Sequence, residues 1–318
     1  MIKKIIFDTD LGGDCDDAGA LAVLHVFADM GEAELLCVTH SNSMPYAPGA
    51  IEVINNYYGR TVPIGCYKPE GLMDEGYDNY AYRLATEFPS TVTRENAWDA
   101  TGLLRKTLTS QPDGSVTIVT VGQLTNMELL LNSKPDKYSD LTGVELVASK
   151  VLEFSVMGGH FPEPGEKLYL GDYLLEHEFN IEKAAEAAAA FIDLSPVPVT
   201  FLPFKTGMVV KTGGNLLEQD NPLNPVTAAY RYYENSERES WDLTAVLYAV
   251  RGYEPFWKSS GWGRISIDGE GVTVFKEEPG VRHRYMLEKG NADDIREILN
   301  ELLIREPKQM RIPAAGAV

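Results

Sequence analysis

Strand-like and helix-like patterns alternate at short spacing along most of this chain, and few architectures accept that order. Residues 2–7 (IKKIIF) carry the β-branched and aromatic side chains of a strand. Residues 18–30 (AGALAVLHVFADM) form an Ala/Leu-rich helical stretch, residues 33–39 (AELLCVT) a second strand and residues 48–59 (PGAIEVINNYYG) a helix stopped by glycine. A short third strand is expected at 62–66, helices around 78–88 and 97–109, and a strand at 116–121 (VTIVTV) closed by Gly122, with a short helix from Leu124. Residues 151–157 (VLEFSVM) give another buried strand, ended by Gly158-Gly159. An alanine-rich helix at 182–192 leads into a strand at 197–202, and helices are expected at 223–234, 242–250 and 291–304. Such alternation implies an α/β fold with a mostly parallel central sheet and helices on both faces. With no linker-like tract and no internal repeat, residues 1–307 read as one domain and residues 308–318 as a loosely held tail. Gly261-Trp262-Gly263 and two short β-like runs suggest a small C-terminal β annex.

In open α/β sheets, ligands bind beyond the carboxyl ends of the strands. The polar segments fall there: Asp8 to Asp17, Thr39 to Asn42, Gly122 to Asn126 and Met157 to His160. The first, FDTDLGGDCDD, places five aspartates within ten residues. An Asp at a helix N-terminus caps free N–H groups, which accounts for one or two carboxylates. It does not account for five, because two like charges ~4 Å apart repel by several kcal/mol at a protein surface. A hard divalent cation resolves the conflict. No cluster of soft ligands accompanies the loop, which disfavours zinc and copper. Calcium accepts about six to eight oxygens, backbone carbonyls included, and suits a multi-carboxylate site with room for substrate hydroxyls better than magnesium does. An EF-hand is ruled out, since its twelfth position, counted from Asp8, is Gly19 rather than glutamate. Asp8-Thr9-Asp10 also matches the start of a magnesium-dependent Asp-x-Asp phosphohydrolase, but Gly12 stands where that motif has Thr or Val.

The bulk properties narrow the partners. A net charge of −19, spread through the chain, argues against nucleic acid or an anionic membrane surface. No apolar run approaches the ~20 residues of a membrane span. The N-terminal Met-Ile-Lys-Lys-Ile-Ile-Phe lacks the apolar core and cleavage site of a signal peptide. Cys15, Cys37 and Cys66 make an odd set with no C-x-x-C pair, and Cys37 lies in an apolar strand pattern. A reducing cytoplasm is the expected location.

The strand–DTDLGGDCDDAGAL–helix arrangement resembles the inosine-uridine-preferring nucleoside hydrolase family, here with a longer loop in which Asp14-Cys15 is inserted before Asp16-Asp17-Ala18. The resemblance continues in order. Val38-Thr39-His40-Ser41-Asn42 is similar to the family's Thr-x-x-Gly-Asn segment, and Val121-Gly122-Gln123-Leu124-Thr125-Asn126 to its Gly-Pro-Leu-Thr-Asn turn. Met157-Gly158-Gly159 and Glu178-Phe179-Asn180-Ile181 match two further motifs, and Ser240-Trp241-Asp242 takes the place of a late His-Asp.

This resemblance implies a calcium-dependent hydrolase that cleaves the N-glycosidic bond of ribonucleosides, acting as a homodimer or homotetramer on a small-molecule nucleoside. Asp10 would contact Ca2+ and act as general base on water. Asp17, the Thr125 carbonyl and Asp242 would complete the protein's metal ligands. Asp16, Asn42, Glu178 and Asn180 would bind ribose hydroxyls, with Met157 beside the sugar and Asp172 where the family often has a ribose-binding asparagine. Asp14 and Asp16 are interchangeable candidates because of the insertion. Trp241 replaces a histidine that could protonate the base; it could stack on a nucleobase but cannot act as an acid. His40, His160 and His177 each adjoin a matched motif, and His160, directly after Gly159, is the preferred stand-in. A non-catalytic calcium-dependent ribosyl binder is the alternative that the Trp241 replacement suggests.

Overall fold

The computed structural model describes residues 2–72, 79–163, 166–170 and 172–309. Among these residues the core is an 11-stranded sheet. From one edge its order is Thr273–Glu277, Gly263–Ile267, His283–Leu287, Val199–Leu202, Val151–Met157, Val116–Thr120, Lys3–Thr9, Ala33–His40, Ile64–Cys66 and Trp98–Asp99, with Lys258–Ser259 beside His283–Leu287. Every pairing from His283–Leu287 across to Trp98–Asp99 is parallel. Side chains alternate between two covered faces. Ile5 and Phe7 enter one core with Leu21, Leu24 and Leu247, and Ile6 enters the other with Leu104, Leu130 and Phe191.

The expected helices form within a residue or two at Asp16–Met30, Ala47–Tyr57, Pro225–Tyr233, Trp241–Arg251 and Ala292–Leu303. The expected helix around 78–88 is Tyr80–Glu87, and residue 78 lies outside the described residues. Other elements differ. The C-terminal strands do not stand apart as an annex. They extend the main sheet, because His283–Leu287 pairs in parallel with Val199–Leu202. The alanine-rich stretch splits at Ala184 (φ −144, ψ 53) into Phe179–Lys183 and Ala185–Leu194. A helix at Gly143–Lys150, started by a Thr142/Glu145 capping box, and a hairpin of Leu168–Leu170 with Tyr173–Leu175 add to the expected set. Of the expected tail, residues 310–318 lie outside the described residues, and the Lys308 N–H donates to Asp29 Oδ2 at 3.0 Å.

The chain lays down Lys3–Thr9, then builds outward on one side through Ala33–His40, Ile64–Cys66 and Trp98–Asp99. It then returns to the other side of Lys3–Thr9 with Val116–Thr120 and builds the opposite way. The order therefore reverses between Lys3–Thr9 and Val116–Thr120, and at such a switch point the connections diverge and leave a crevice at the carboxyl ends. The aspartate loop and the 122–126 turn leave their strands on either side of it. Asp8 sits opposite both Thr39 and Thr120 in register. Its buried carboxylate accepts from Thr39 Oγ1 (2.5 Å), Thr120 Oγ1 (3.2 Å) and Asn126 Nδ2 (2.8 Å), so three segments are tied at one point.

Gly122 lets these segments meet. A Cβ there would lie 2.6 Å from Ser41 Oγ and 2.7 Å from the Asp10 backbone nitrogen, distances that real side chains do not tolerate. Gly122→Ala is therefore expected to lower unfolding free energy by about 1–3 kcal/mol, read as a shift in the urea midpoint at constant m-value. A midpoint equal to that of the wild type would show that the contact yields without strain.

Candidate active site

Two helices begin at the carboxyl ends of the strands and pack side by side: Asp16–Met30, buried on all sides through Phe27, and Trp241–Arg251. Their first turns bring Asp16 and Asp17 to Asp242. Carboxylate oxygens of these three buried residues all lie within 4.8 Å of one another. The Asp242 backbone N–H donates to Asp16 Oδ2 at 3.0 Å, and the Thr9 hydroxyl donates to Asp17 Oδ1. The positive ends of both helices favour negative charge here. Burial outweighs that help. It holds the Asp16 and Asp242 carboxyls well above the usual carboxylate range, and repulsion adds to the shift: from Asp14 and Asp17 on Asp16, and from Asp16, Asp17, Asp10 and Asp14 on Asp242.

These carboxylates floor a cavity of about 240 Å³. Asp10 borders it, half-buried, with Oδ2 accepting from Gln123 Nε2 at 2.8 Å. One wall carries Met157, Glu178 and Asn180. Glu178 caps the Phe179–Lys183 turn by accepting from the backbone N–H groups of Asn180 (3.0 Å) and Ile181 (3.1 Å), and it also accepts from Gly159 at 3.2 Å. Burial nevertheless pushes its carboxyl up to about 7. The Asn180 amide donates to the Val121 carbonyl (2.8 Å) and lies 3.3 Å from Met157 Sδ, which fixes its orientation.

The other wall is aromatic and cationic. Trp241 Nε1 donates to the Phe204 carbonyl (2.9 Å), and its ring lies 5.0 Å from that of Phe204. Arg238 spans from this wall to the aspartate loop. Its Nε donates to both carboxylate oxygens of Asp14 (3.0 and 2.8 Å), and its guanidinium lies over the rings of Trp241 and Tyr233. Asp14 is thereby drawn to Arg238 while Asp16 joins the carboxylate cluster, and both line the cavity.

Four expected residues are not among the side chains that line this cavity. Asn42 is buried: its Oδ1 accepts from the Met44 N–H (2.9 Å) and its Nδ2 lies 3.5 Å from Gln123 Oε1. Thr125 is buried at the start of Thr125–Asn132, its hydroxyl donating to the Ser41 carbonyl at 2.5 Å. Asp172 is exposed in the turn of the Leu168–Leu170/Tyr173–Leu175 hairpin. His160 borders a separate cavity of about 350 Å³ together with His177, Glu163 and Tyr285. Burial lowers its imidazole pKa. His40 is buried, with its ring nitrogens facing the carbonyls of Leu11 (3.1 Å) and Asn42 (3.3 Å). Arg238 and Phe204 were not anticipated as wall residues. Phe179 also borders the cavity, and its place inside Glu-Phe-Asn-Ile was a usable signal.

The comparisons with known proteins agree with this architecture. The model of the inosine-uridine preferring nucleoside hydrolase family matches residues 5–298. A pyrimidine-specific ribonucleoside hydrolase, RihA, of Citrobacter koseri is 26% identical over 280 residues, covering 77% of this chain and 76% of that protein. The inosine-uridine preferring nucleoside hydrolase of Bacillus anthracis superposes with a TM-score of 0.67 at 18% identity, over 95% of this chain and 99% of its own. The purine-preferring ribonucleoside hydrolase of Gardnerella vaginalis gives 0.68 at 14% identity, over 95% and 98%. The family match spans nearly all of the strands and helices that carry the carboxylate cavity, and the chain belongs to the inosine-uridine preferring nucleoside hydrolases, enzymes that hydrolyse N-glycosyl compounds.

Proposed function

We propose that this chain hydrolyses ribonucleosides to ribose and free base with Ca2+ held by Asp10, Asp17, Asp242 and the Thr125 carbonyl. The observation that carries this reading is the buried cluster in which Asp17 and Asp242, two of these ligands, lie with Asp16, ligand atoms of all three being within 4.8 Å of one another. The donor set fits a hard cation, since it offers carboxylate oxygens with no imidazole or thiolate among its members. Bound there, the cation supplies neutralising charge and makes a neighbouring water more acidic. Relatives named for pyrimidine and for purine ribonucleosides support the same substrate class.

The remaining work falls to the protein's own groups. Asp10, oriented by Gln123, accepts a proton from the attacking water. Glu178, Asn180 and Asp16 hold the ribose hydroxyls, so that C1′ faces that water, and Met157 packs against the sugar. As the C–N bond breaks, positive charge grows on the sugar ring, and the surrounding carboxylates stabilise it. The Asp-x-Asp phosphohydrolase alternative would need Asp8 as an accessible nucleophile. Asp8 is fully buried under three hydrogen bonds, and burial raises its carboxyl to about 7.

Asp10→Ala is expected to lower ribose release by about 10²–10⁴-fold, measured by a reducing-sugar assay at saturating Ca2+. Turnover at the wild-type rate would remove Asp10 from the reaction, and tight nucleoside binding by the wild type with no ribose release would establish the binder instead. A second prediction concerns stability. Asp242→Asn removes one charge from the buried cluster, so the chelator-treated variant should melt at a higher temperature than the equally treated wild type. Calcium should raise the melting temperature of the wild type only. Calcium-dependent stabilisation of the variant equal to that of the wild type would place the ion elsewhere.

A further inference from the structure

The cavity is electrically asymmetric. Its lining carries six carboxylates, Asp10, Asp14, Asp16, Asp17, Asp242 and Glu178, of which Asp14 is paired with Arg238. Arg238 is the one basic side chain that lines it among the described residues, and no histidine does so. In N-glycoside hydrolysis the two fragments acquire opposite charge. Water adds to C1′ and the C–N electron pair goes to the aglycone nitrogen, while a proton of the water goes to Asp10. A ribosyl group becoming cationic is favoured by the carboxylates, but an aglycone becoming anionic is repelled by them everywhere except near Arg238.

We propose that Arg238 is the specificity-determining residue of the leaving-group end, donating hydrogen bonds to the aglycone as it departs as an anion. The inference rests on the hydrolase reading and names the class of substrate: ribosyl compounds whose aglycone carries an acceptor beside the scissile nitrogen and leaves without prior protonation.

The geometry suits that role. Nε and Nη2 bind the Asp14 carboxylate, and Nη1 lies 3.2 Å from Glu239 Oε2. Each terminal nitrogen keeps a second N–H beyond these contacts. The guanidinium is centred 5.1 Å from the Trp241 ring and 5.2 Å from the Tyr233 ring, and its side chain is only 16% exposed. It is therefore held rigidly, with spare donors beside an aromatic wall suited to a planar base. Such preorganised donors act on developing charge without reorganising at the moment of reaction. A guanidinium stays protonated at any working pH, so it stabilises the anion rather than protonating it. The departing anion then takes its proton from solvent.

The test compares inosine or uridine with p-nitrophenyl riboside, whose nitrophenolate is a far better leaving group. Arg238→Met should reduce kcat on the nucleosides by about 100-fold and on the nitrophenyl riboside by about 10-fold or less, with calcium affinity, measured by calorimetry, unchanged. Arg238→Lys retains the charge without the fork and should recover part of the nucleoside kcat. Should Arg238→Met fail to fold, the lysine variant alone decides, because it must still lose more on the nucleosides than on the nitrophenyl riboside. Equal losses on both substrates, a loss confined to KM, or a loss that follows weakened calcium binding would reduce Arg238 to a brace for the aspartate loop and overturn the proposal. A wild-type protein that cleaves neither substrate would defeat the hydrolase reading and this inference with it.

Discussion

The structure is organised around a repulsion that the fold creates and does not relieve. Two carboxylates 4.8 Å apart repel by about 3 kcal/mol at an effective dielectric near 20, and Asp16, Asp17 and Asp242 all lie within that distance while buried. Several protein groups oppose this repulsion, Arg238 acting on Asp16 among them. Two helix N-termini contribute roughly 0.3–2 kcal/mol each, and the Asp242 N–H and the Thr9 hydroxyl add one hydrogen bond apiece. These cannot offset three mutual repulsions together with desolvation. Either protons or a cation must supply the rest, which is why burial and neighbouring charge raise the affinity of Asp16 and Asp242 for protons. The fold itself is rigid enough to hold the groups in place, because the Asp16–Met30 helix is enclosed from its first turn to Phe27.

The two members of Asp-x-Asp show how position divides one residue type into two roles. Asp8 lies within the strand, flanked in register by Thr39 and Thr120, and serves as a hydrogen-bonded hub at the point where the strand order reverses. Asp10 lies past the strand end, where the backbone is released into the crevice and one amide, Gln123, sets its orientation. Gln123 is in turn close to Ser41 and Asn42, so three connections after three strands form a continuous polar layer beneath the cavity. Within that layer the Asn42 amide contacts Met44 and Gln123, and Gln123 in turn contacts Asp10.

How much was legible in the sequence follows from which interactions are local. Strands covered on both faces must be nearly continuous apolar runs, so IKKIIF, VTIVTV and VLEFSVM declared the sheet directly. Asp10, Asp16 and Asp17 were readable because they share one loop. Asp242 was readable only through family resemblance, since nothing around Trp241 marks a ligand on its own. The break at Ala184 was hidden, because an alanine run is equally helical throughout and nothing local marks the residue that leaves the helical conformation. Arg238 was hidden more deeply. Glu237-Arg238-Glu239 reads as solvated surface charge, and only the tertiary fold brings Arg238 to Asp14, 224 residues away. The short C-terminal runs were visible as β structure, but their partner Val199–Leu202 was not, because parallel pairing leaves no turn signal between the strands.

Two departures from the family pattern meet at one place in space. The loop is longer by Asp14-Cys15, and a tryptophan stands before Asp242 where some relatives have histidine. Read separately, the first is an insertion and the second a lost acid. In the structure, Asp14 binds Arg238, and Arg238 lies over Trp241. The inserted carboxylate holds the guanidinium, and the indole gives it a face to rest on. Were Asp14 absent, Arg238 would keep only Glu239 and the ring contacts, and a long flexible side chain would lose the rigidity that makes its donors effective. Were Trp241 a histidine, the broad ring beneath the guanidinium would be lost. Asp14, Arg238 and Trp241 therefore form one unit whose members couple energetically, as groups in a shared network do. A leaving group met by such a unit needs to be a stable anion rather than a strong base, so the chemistry of the aglycone follows from the same contacts that anchor the loop.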